Sequence, residues 1–357
     1  MMDSKLSHPK LPLFPLLLIA PFFFWGTAMV AMKGVIPNTT PLFMAGVRLV
    51  PAGLLVLAAG MVMGRPQPKG WMAWLWILLF ALIDGALFQG FLAEGLVRTG
   101  AGLGSVMIDS QPLAVALMAL WLFGERIGLW GWLGLALGVT GISFLGLPDE
   151  WVLGILQNRS LPEGVQLGVH LINDLFQNGQ WLMLLASLSM AVGTVVMRYV
   201  SRHADPVTAT GWHMVLGGLP LFALSSQVET AQFVHLDWSN WLAMGYSTVF
   251  GSAIAYGLFF YFAASGSLTS LSSLTFLTPV FALMFGNLFL SEMLSLLQWV
   301  GVGFTLVSIY LINQRDVLAE KFRLVQTVVI SEQGQSSQVK TAMVSLPKVP
   351  VRLTEQE

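Results

Sequence analysis

The sequence predicts an all-α integral membrane protein of ten transmembrane helices, arranged as two inverted five-helix repeats. Three observations carry that expectation. The first is solvent preference: 55% of the 357 residues are hydrophobic and only 10% are charged, against about a quarter charged in a soluble domain, and mean hydropathy is +0.74. The second is segmentation. Ten apolar stretches approach the roughly 20 residues that a membrane helix needs, five on each side of a polar connection at 147–178. The third is recurrence. Trp74, Pro112, Glu125, Trp132 and Gly134 reappear 167 positions later as Trp241, Pro279, Glu292, Trp299 and Gly301.

Taken in order, a tail at 1–12 leads into a first repeat at 13–146, with helices expected at 13–33, 41–63, 71–93, 101–123 and 127–146. No small-residue cleavage site follows the tail, so the first helix is read as retained rather than as a removed signal peptide. The connection at 147–178 holds Pro148, Asp149, Glu150, Pro162, Glu163 and Asp174, with apolar patches at 151–156 and 165–176 that suit short interfacial helices. The second repeat, 179–313, offers helices at 179–199, 207–226, 239–263, 267–290 and 295–313, and a polar tail at 314–357 is expected to be flexible and cytoplasmic. The pair Gly26-Thr27 returns as Gly193-Thr194, and near the start of each half the offset becomes 165, pairing Pro41 with Pro206 and Arg48 with His213. Shared Pro, Trp and Glu at a fixed offset point to internal duplication.

Five is odd, so the second repeat must enter the membrane from the opposite side, the plan of many secondary transporters. Lys and Arg gather on cytoplasmic loops. Placing both termini inside puts Lys5, Lys10, Arg65, Lys69, Arg126 and Arg202 on the inner face and only Lys33, Arg98 and Arg159 outside, and makes the 147–178 connection extracytoplasmic.

Ionisable residues at membrane depth cost about 2.5–3.5 kcal/mol on insertion scales and mark function by default. Arg48, Asp84 and Asp109 fall on three helices of the first half, roughly 10 to 14 Å below their outer ends at 1.5 Å per residue. Two readings stand: a buried site for a charged substrate or coupling proton, or a structural salt bridge in which Arg48 pairs with one or both acids. The second half has no copy of the acids, since Asp84 maps to Gly251 and Asp109 to Phe276. His213 alone answers Arg48, as a hydrogen-bonding or proton-sensing group. Gln89, its repeat partner Tyr256, Gln111 and Thr278 are candidates to line the same cavity, each with core packing as its plain alternative.

Pro112 and Pro279 lie inside the expected fourth and ninth helices. Proline there removes a backbone bond and bends the helix, giving either hinged gating or a static kink. Glu125 and Glu292 each precede an apolar run, where a carboxylate favours the positive end of the next helix. No HExxH, GxSxG or Walker loop is present, so catalysis has no motif behind it. With no cysteine, disulfides and Cys-bound metals are excluded, and neither a metal site nor a cofactor is expected. A net charge of −1 gives no pull toward nucleic acid.

The stretches WGTAMVAMKGVIP (25–37), GLGSVMIDSQPL (102–113), ATGWHMVLGGLPL (209–221) and SSLTFLTPVFALMFG (272–286), with the Pro-to-Glu spacing in both halves, resemble the EamA family of the drug/metabolite transporter superfamily, in its cyanobacterial and plastid-like branch. The resemblance covers about residues 15–313. It implies a substrate cavity between the repeats and alternating access, with Asp84 and Asp109 beside the cavity. The expected activity is secondary transport of a small organic metabolite (an amino acid, amine or related solute), with a proton as candidate coupling ion. The competing class is an intramembrane enzyme or a non-transporting receptor. Expected partners are a small-molecule substrate and the lipid bilayer, with a homodimer left open. The expected location is a bacterial inner membrane, because a plastid member would carry a Ser/Arg-rich transit segment.

Overall fold

A chain this apolar keeps hydrocarbon on its outside as well as in its core, and buries its ionisable groups. The computed structural model describes residues 13–98, 108–146, 153, 179–264, 266–290 and 295–321, and no strand occurs among them. The helices are α1 (Leu13–Lys33) and α2 (Pro41–Val62); α3, which runs from Trp71 to Arg98 through a π-helical stretch at Ala81–Phe88; α4 (Gln111–Phe123) and α5 (Gly128–Gly146). In the second half α6 is Gly179–Val200 and α7 is Pro206–Val228. Helix α8 runs from Trp238 to Ala263 through a π-helical stretch at Ser247–Ile254. Helix α9 comprises Leu268–Ser273 and Leu277–Leu290, joined by a 3-10 turn at Leu274–Phe276, and α10 is Leu296–Asn313.

Six of these, α1, α2, α3, α6, α7 and α8, are long and apolar enough to cross a membrane, and the rest are shorter apolar helices. Leu54, Leu78, Leu82 and Trp121 are exposed on the outside while Arg48, Asp84, Gln89 and His213 are buried. The protein is therefore a multi-pass, all-helical membrane protein. Helix 3 continues five residues past its expected end, to Arg98, because Glu94 and Arg98 pair on its last turn.

Close packing fixes the directions of the helices. On α2, Gly46, Gly53 and Gly60 meet Phe222, Gly211 with Val215, and Thr208 of α7 in that order. Rising numbers on one helix meet falling numbers on the other, so α2 and α7 run antiparallel. A methyl group on Gly53 would lie 2.7 Å from the Gly211 carbonyl oxygen; only glycine lets two membrane helices approach this closely. Helices α5 and α10 repeat the pattern. Gly134 packs on Ile312 and Ser308, and Gly141 on Thr305 and Gly301, while Ser308 Oγ donates to the Gly134 carbonyl at 2.6 Å.

The two π-helical stretches begin at Ala81 and Ser247, 166 positions apart. Each lies against the central α2/α7 pair: α3 packs on α7, and α8 on α2. Ends are tied by local chemistry. Asp205 accepts from Val207 N and Thr208 N ahead of Pro206, Asp237 accepts from Asn240 N, and Ser267 Oγ accepts from Ser270 N. The helix beyond α10 continues after Gln314 to Lys321, with Arg315 buried and donating to Ser267 and Ser270.

Candidate functional site

The π-helical part of α3 positions the chemistry. A π turn closes i→i+5 bonds, so residues five apart come closer to one stripe than in an α-helix. Asp84 and Gln89 are five apart across that stretch. Gly85 leaves α3 pressed on α7, with its missing Cβ 2.8 Å from the His213 carbonyl oxygen and the Gly217 Cα.

Asp84 Oδ2 lies 3.2 Å from His213 Nε2, and His213 Nδ1 lies 2.6 Å from the Thr210 carbonyl oxygen. A carbonyl only accepts, so Nδ1 carries a proton and donates. The Nε2–Asp84 bond then needs a proton of its own, on the imidazole or on the carboxyl. The pair holds that proton in a pocket where both side chains are at most 1% exposed. Phe80 stacks on the imidazole at 4.0 Å between centroids and Phe260 meets it edge-on at 5.5 Å, excluding water. The other oxygen, Asp84 Oδ1, has no hydrogen-bond partner among the described residues and lies over the bare Cα of Gly193. Next to Gly193, Thr194 Oγ1 accepts from Gln111 Nε2 at 3.2 Å.

A second group is built around Arg48. Its Nη2 donates to Gln89 Oε1 at 3.0 Å and its Nη1 lies against the Met32 sulfur. Gln89 Nε2 in turn donates to Tyr256 Oη at 2.8 Å, across a separation of 167 residues. That is the repeat offset, so a residue here touches its own repeat partner. The Trp25 ring lies 5.1 Å from the Tyr256 ring.

Of the two readings left open, the salt bridge from Arg48 to an acid is not seen among the described residues: its partners are a neutral amide and a thioether. The acid on α3 is turned toward α7, where His213 takes it. Asp109 is buried at 5% exposure in the turn ahead of α4. That turn is held on α6 through Ser187, which bonds Ser110 and the Ile108 carbonyl.

Pro112 differs from expectation and Pro279 does not. Pro112 is the second residue of α4 and Pro279 the third of the Leu277–Leu290 segment. Proline in a first turn gives up no bond. Pro112 therefore begins a helical segment after the turn before Gln111, whereas Pro279 lies inside α9 just after its 3-10 turn, where the backbone stays right-handed helical from Ser273 through Leu277. Thr278 Oγ1 has no hydrogen-bond partner among the described residues.

Glu125 serves a different helix from the expected one. It accepts from Leu268 N (2.9 Å), Ser267 Oγ (3.0 Å) and Thr269 Oγ1 (3.0 Å), capping α9 of the other half, with Arg198 of α6 at 3.5 Å. The loop before α5 is only four residues long and turns the side chain away from its own helix. At the opposite end of the bundle, Glu229 after α7 accepts from Thr40 Oγ1, Leu42 N and Phe43 N, capping α2. Glu292, the patch at 165–176 and, apart from Leu153, the patch at 151–156 lie outside the described residues.

Residues that sequence reading passed over are Trp25, Met32, Phe80, Thr194 and Phe260. The recurring Gly-Thr pair was a signal for Thr194; the aromatic residues gave none, being ordinary in apolar helices. A cleft of about 530 Å³ opens on the flank between α3 and α7, walled by Leu42, Gly90, Phe91 and Leu221 with Glu94 and Arg98 at its end. It does not include the buried polar set.

Comparison with known proteins follows the same division into halves. The EamA-like transporter family matches residues 13–147 and again 177–314. The chain is 62% identical over 317 residues (88% of this chain, 94% of the relative) to a Synechocystis sp. protein named as an uncharacterized transporter. It is 54% identical over 300 residues (83% and 68%) to a chloroplastic WAT1-related protein of Arabidopsis thaliana. It is 28% identical over 312 residues (85% and 91%) to YedA of Escherichia coli, named as an uncharacterized inner membrane transporter. A crystal structure aligns with TM-score 0.66 over 86% of this chain and 97% of its own at 16% identity, a likeness of fold alone.

Proposed function

The chain belongs to the EamA-like transporter family, of the drug/metabolite transporter superfamily and its cyanobacterial and plastid-like branch, and on that premise we propose that this membrane transporter moves a small organic metabolite by proton-coupled alternating access. The ten helices act as two inverted five-helix repeats. The observation that carries this reading is the antiparallel packing of α2 on α7, repeat partners by sequence, with the buried polar groups beside them. Antiparallel repeat partners are what inversion requires. Antiparallel α5 and α10, and π-helical stretches at matching places in α3 and α8, support it further.

In this reading the repeats rock about the α2/α7 contact. The turn before Pro112 and the 3-10 turn before Pro279 supply the flexing points, with Gln111 and Thr278 beside them. The coupling proton resides on the Asp84–His213 pair, Asp109 lines the cavity from the turn ahead of α4, and Arg48, Gln89 and Tyr256 hold the solute. The protein lies in a bacterial inner membrane with both termini cytoplasmic.

The test is uptake into proteoliposomes, with solutes screened under an imposed proton gradient. Asp84→Asn is expected to cut gradient-driven uptake about tenfold or more while solute exchange at equal pH persists. Gradient-driven uptake unchanged in a folded Asp84→Asn protein would remove the proton from this site.

A further inference from the structure

We propose that the solute of this transporter docks through an oxyanion, a carboxylate or phosphate, on Arg48, Trp25 and Tyr256. The inference rests on the transport reading above and narrows its substrate class: a solute that carries only an amine does not fit.

Arg48 is 6% exposed, and a guanidinium is always charged. The ion pairs among the described residues are Arg65–Asp205, Arg98–Glu94, Arg198–Glu125 and His213–Asp84. None involves Arg48, whose two contacts, Gln89 Oε1 and the Met32 sulfur, are both neutral. The Asp84–His213 pair does not supply the missing charge, because the proton between the two cancels the carboxylate. A buried charge is retained only when it is paired, so a counter-ion completes this site.

The orientation of Gln89 then fixes what surrounds that counter-ion. Its oxygen faces Arg48, so its amide nitrogen donates to Tyr256 Oη. Having accepted there, the tyrosine hydroxyl is left to donate. Arg48 Nε and Trp25 Nε1 are buried donors with no partner among the described residues. Gln89 links Arg48 to Tyr256, and the Trp25 ring lies against the Tyr256 ring, so the three donors belong to one connected group of side chains. They come from α1, α2 and α8, with the Trp25 and Tyr256 rings 5.1 Å apart. A cluster of donors around an uncompensated cation is built for oxygen acceptors carrying negative charge.

Trp25 is the specificity residue that follows from this arrangement. Its repeat position, 167 residues on, is Val192, so the donor exists on one side only and the solute has one preferred orientation.

The experiment is thermal unfolding of the purified full-length protein with matched probes: phenylacetate, its neutral amide phenylacetamide, phenethylamine and inorganic phosphate. A ligand that binds the folded state raises Tm. Phenylacetate or phosphate is expected to raise Tm, and phenylacetamide and phenethylamine to leave it unchanged. Arg48→Gln should abolish the shift. Trp25→Phe, which keeps the ring and removes the donor, should raise the half-saturating concentration about tenfold, the loss of one hydrogen bond to a charged group. If Arg48→Gln does not fold, Trp25→Phe and Tyr256→Phe carry the test. A phosphate-only response assigns the site to phosphorylated solutes, within the proposal. No response to either anion, an equal response to phenethylamine, or an undiminished response in the variants overturns it. A parallel series in phosphatidylcholine and phosphatidylglycerol nanodiscs separates solute from lipid. Stabilisation by phosphatidylglycerol alone would mean a headgroup site and would overturn the solute assignment. Binding and uptake fail separately: anion binding without any uptake would sink the transport reading and leave the site, and uptake without anion binding would do the reverse.

Discussion

A proton is required between Asp84 and His213 because the other imidazole nitrogen is already committed to the Thr210 carbonyl. The same kind of local accounting applies at Glu125, outside the membrane-spanning helices. Partial burial works to raise that carboxyl, but bonds from Leu268 N–H and the Thr269 and Ser267 hydroxyls outweigh it and hold it below its ordinary value. A carboxyl lowered on folding adds stability above its unfolded pKa and loses it as pH falls through the folded value. Glu125→Gln is therefore expected to lower Tm at neutral pH, by about 1 kcal/mol of stability as for a lost helix cap. The gap from wild type should close as pH drops below the carboxylate range. A gap that is constant with pH would mean that charge at Glu125 does not hold α9. At this scale the sequence pointed to the right residues but not to their partners. The depth of Arg48, Asp84 and Asp109 was readable from helix spans. That Asp84 faces His213 and Arg48 faces Gln89 depends on helix rotation and on contacts 129 and 41 residues apart, which hydropathy does not encode. Gln89 with Tyr256 is the exception, since repeat partners close to a symmetry axis must meet.

Helices were legible because lipid imposes one rule on all of them: long, apolar and internally hydrogen-bonded. The expected and observed spans of α1, α2 and α5 to α8 differ by a few residues. The π-helical stretches at Ala81–Phe88 and Ser247–Ile254 were not legible. A π turn is a shift of backbone register that leaves composition unchanged. Nor was the start of α4 at Gln111, since a proline in an apolar run reads as a kink whether it bends a helix or begins one. The antiparallel register of α2 on α7 gives a direct prediction. The Leu49 Cβ lies 3.2 Å from the point where a Gly218 Cβ would sit, close to the span of a disulfide. Leu49→Cys with Gly218→Cys, in a chain that otherwise has no cysteine, should cross-link under mild oxidation. With a protease site placed in the 147–178 connection, the two halves should stay joined after cleavage until reduced. Leu49→Cys with Thr208→Cys should not cross-link; if it did and the first pair did not, the register would be wrong. In the same contact, Gly85→Leu should abolish folding or uptake, because any Cβ there strikes the Gly217 Cα at 2.8 Å.

Across the whole molecule, the two halves hold each other at both ends. Glu125 of the first half caps α9, and Glu229 of the second caps α2. Glu125 and Arg198 lie at the end that holds Arg65 and Asp205, while Glu229 lies at the far end of the α2/α7 pair. Rocking about α2/α7 would open one of these carboxylate contacts at a time. The duplicated frame and the one-sided charge were both present in the sequence; these ties between halves were not, because they join residues 143 and 187 positions apart with no shared local motif. If the buried site opens alternately to the two faces, a buried residue beside it becomes accessible from each face in turn. Ser252 is fully buried in the π-helical stretch of α8. As the single cysteine in an otherwise cysteine-free chain, Ser252→Cys can be labelled with a membrane-impermeant maleimide from either side of oriented proteoliposomes. Alternating access predicts labelling from both faces, with a proton gradient raising one rate as it lowers the other. Labelling from one face only, unaffected by the gradient, would contradict it.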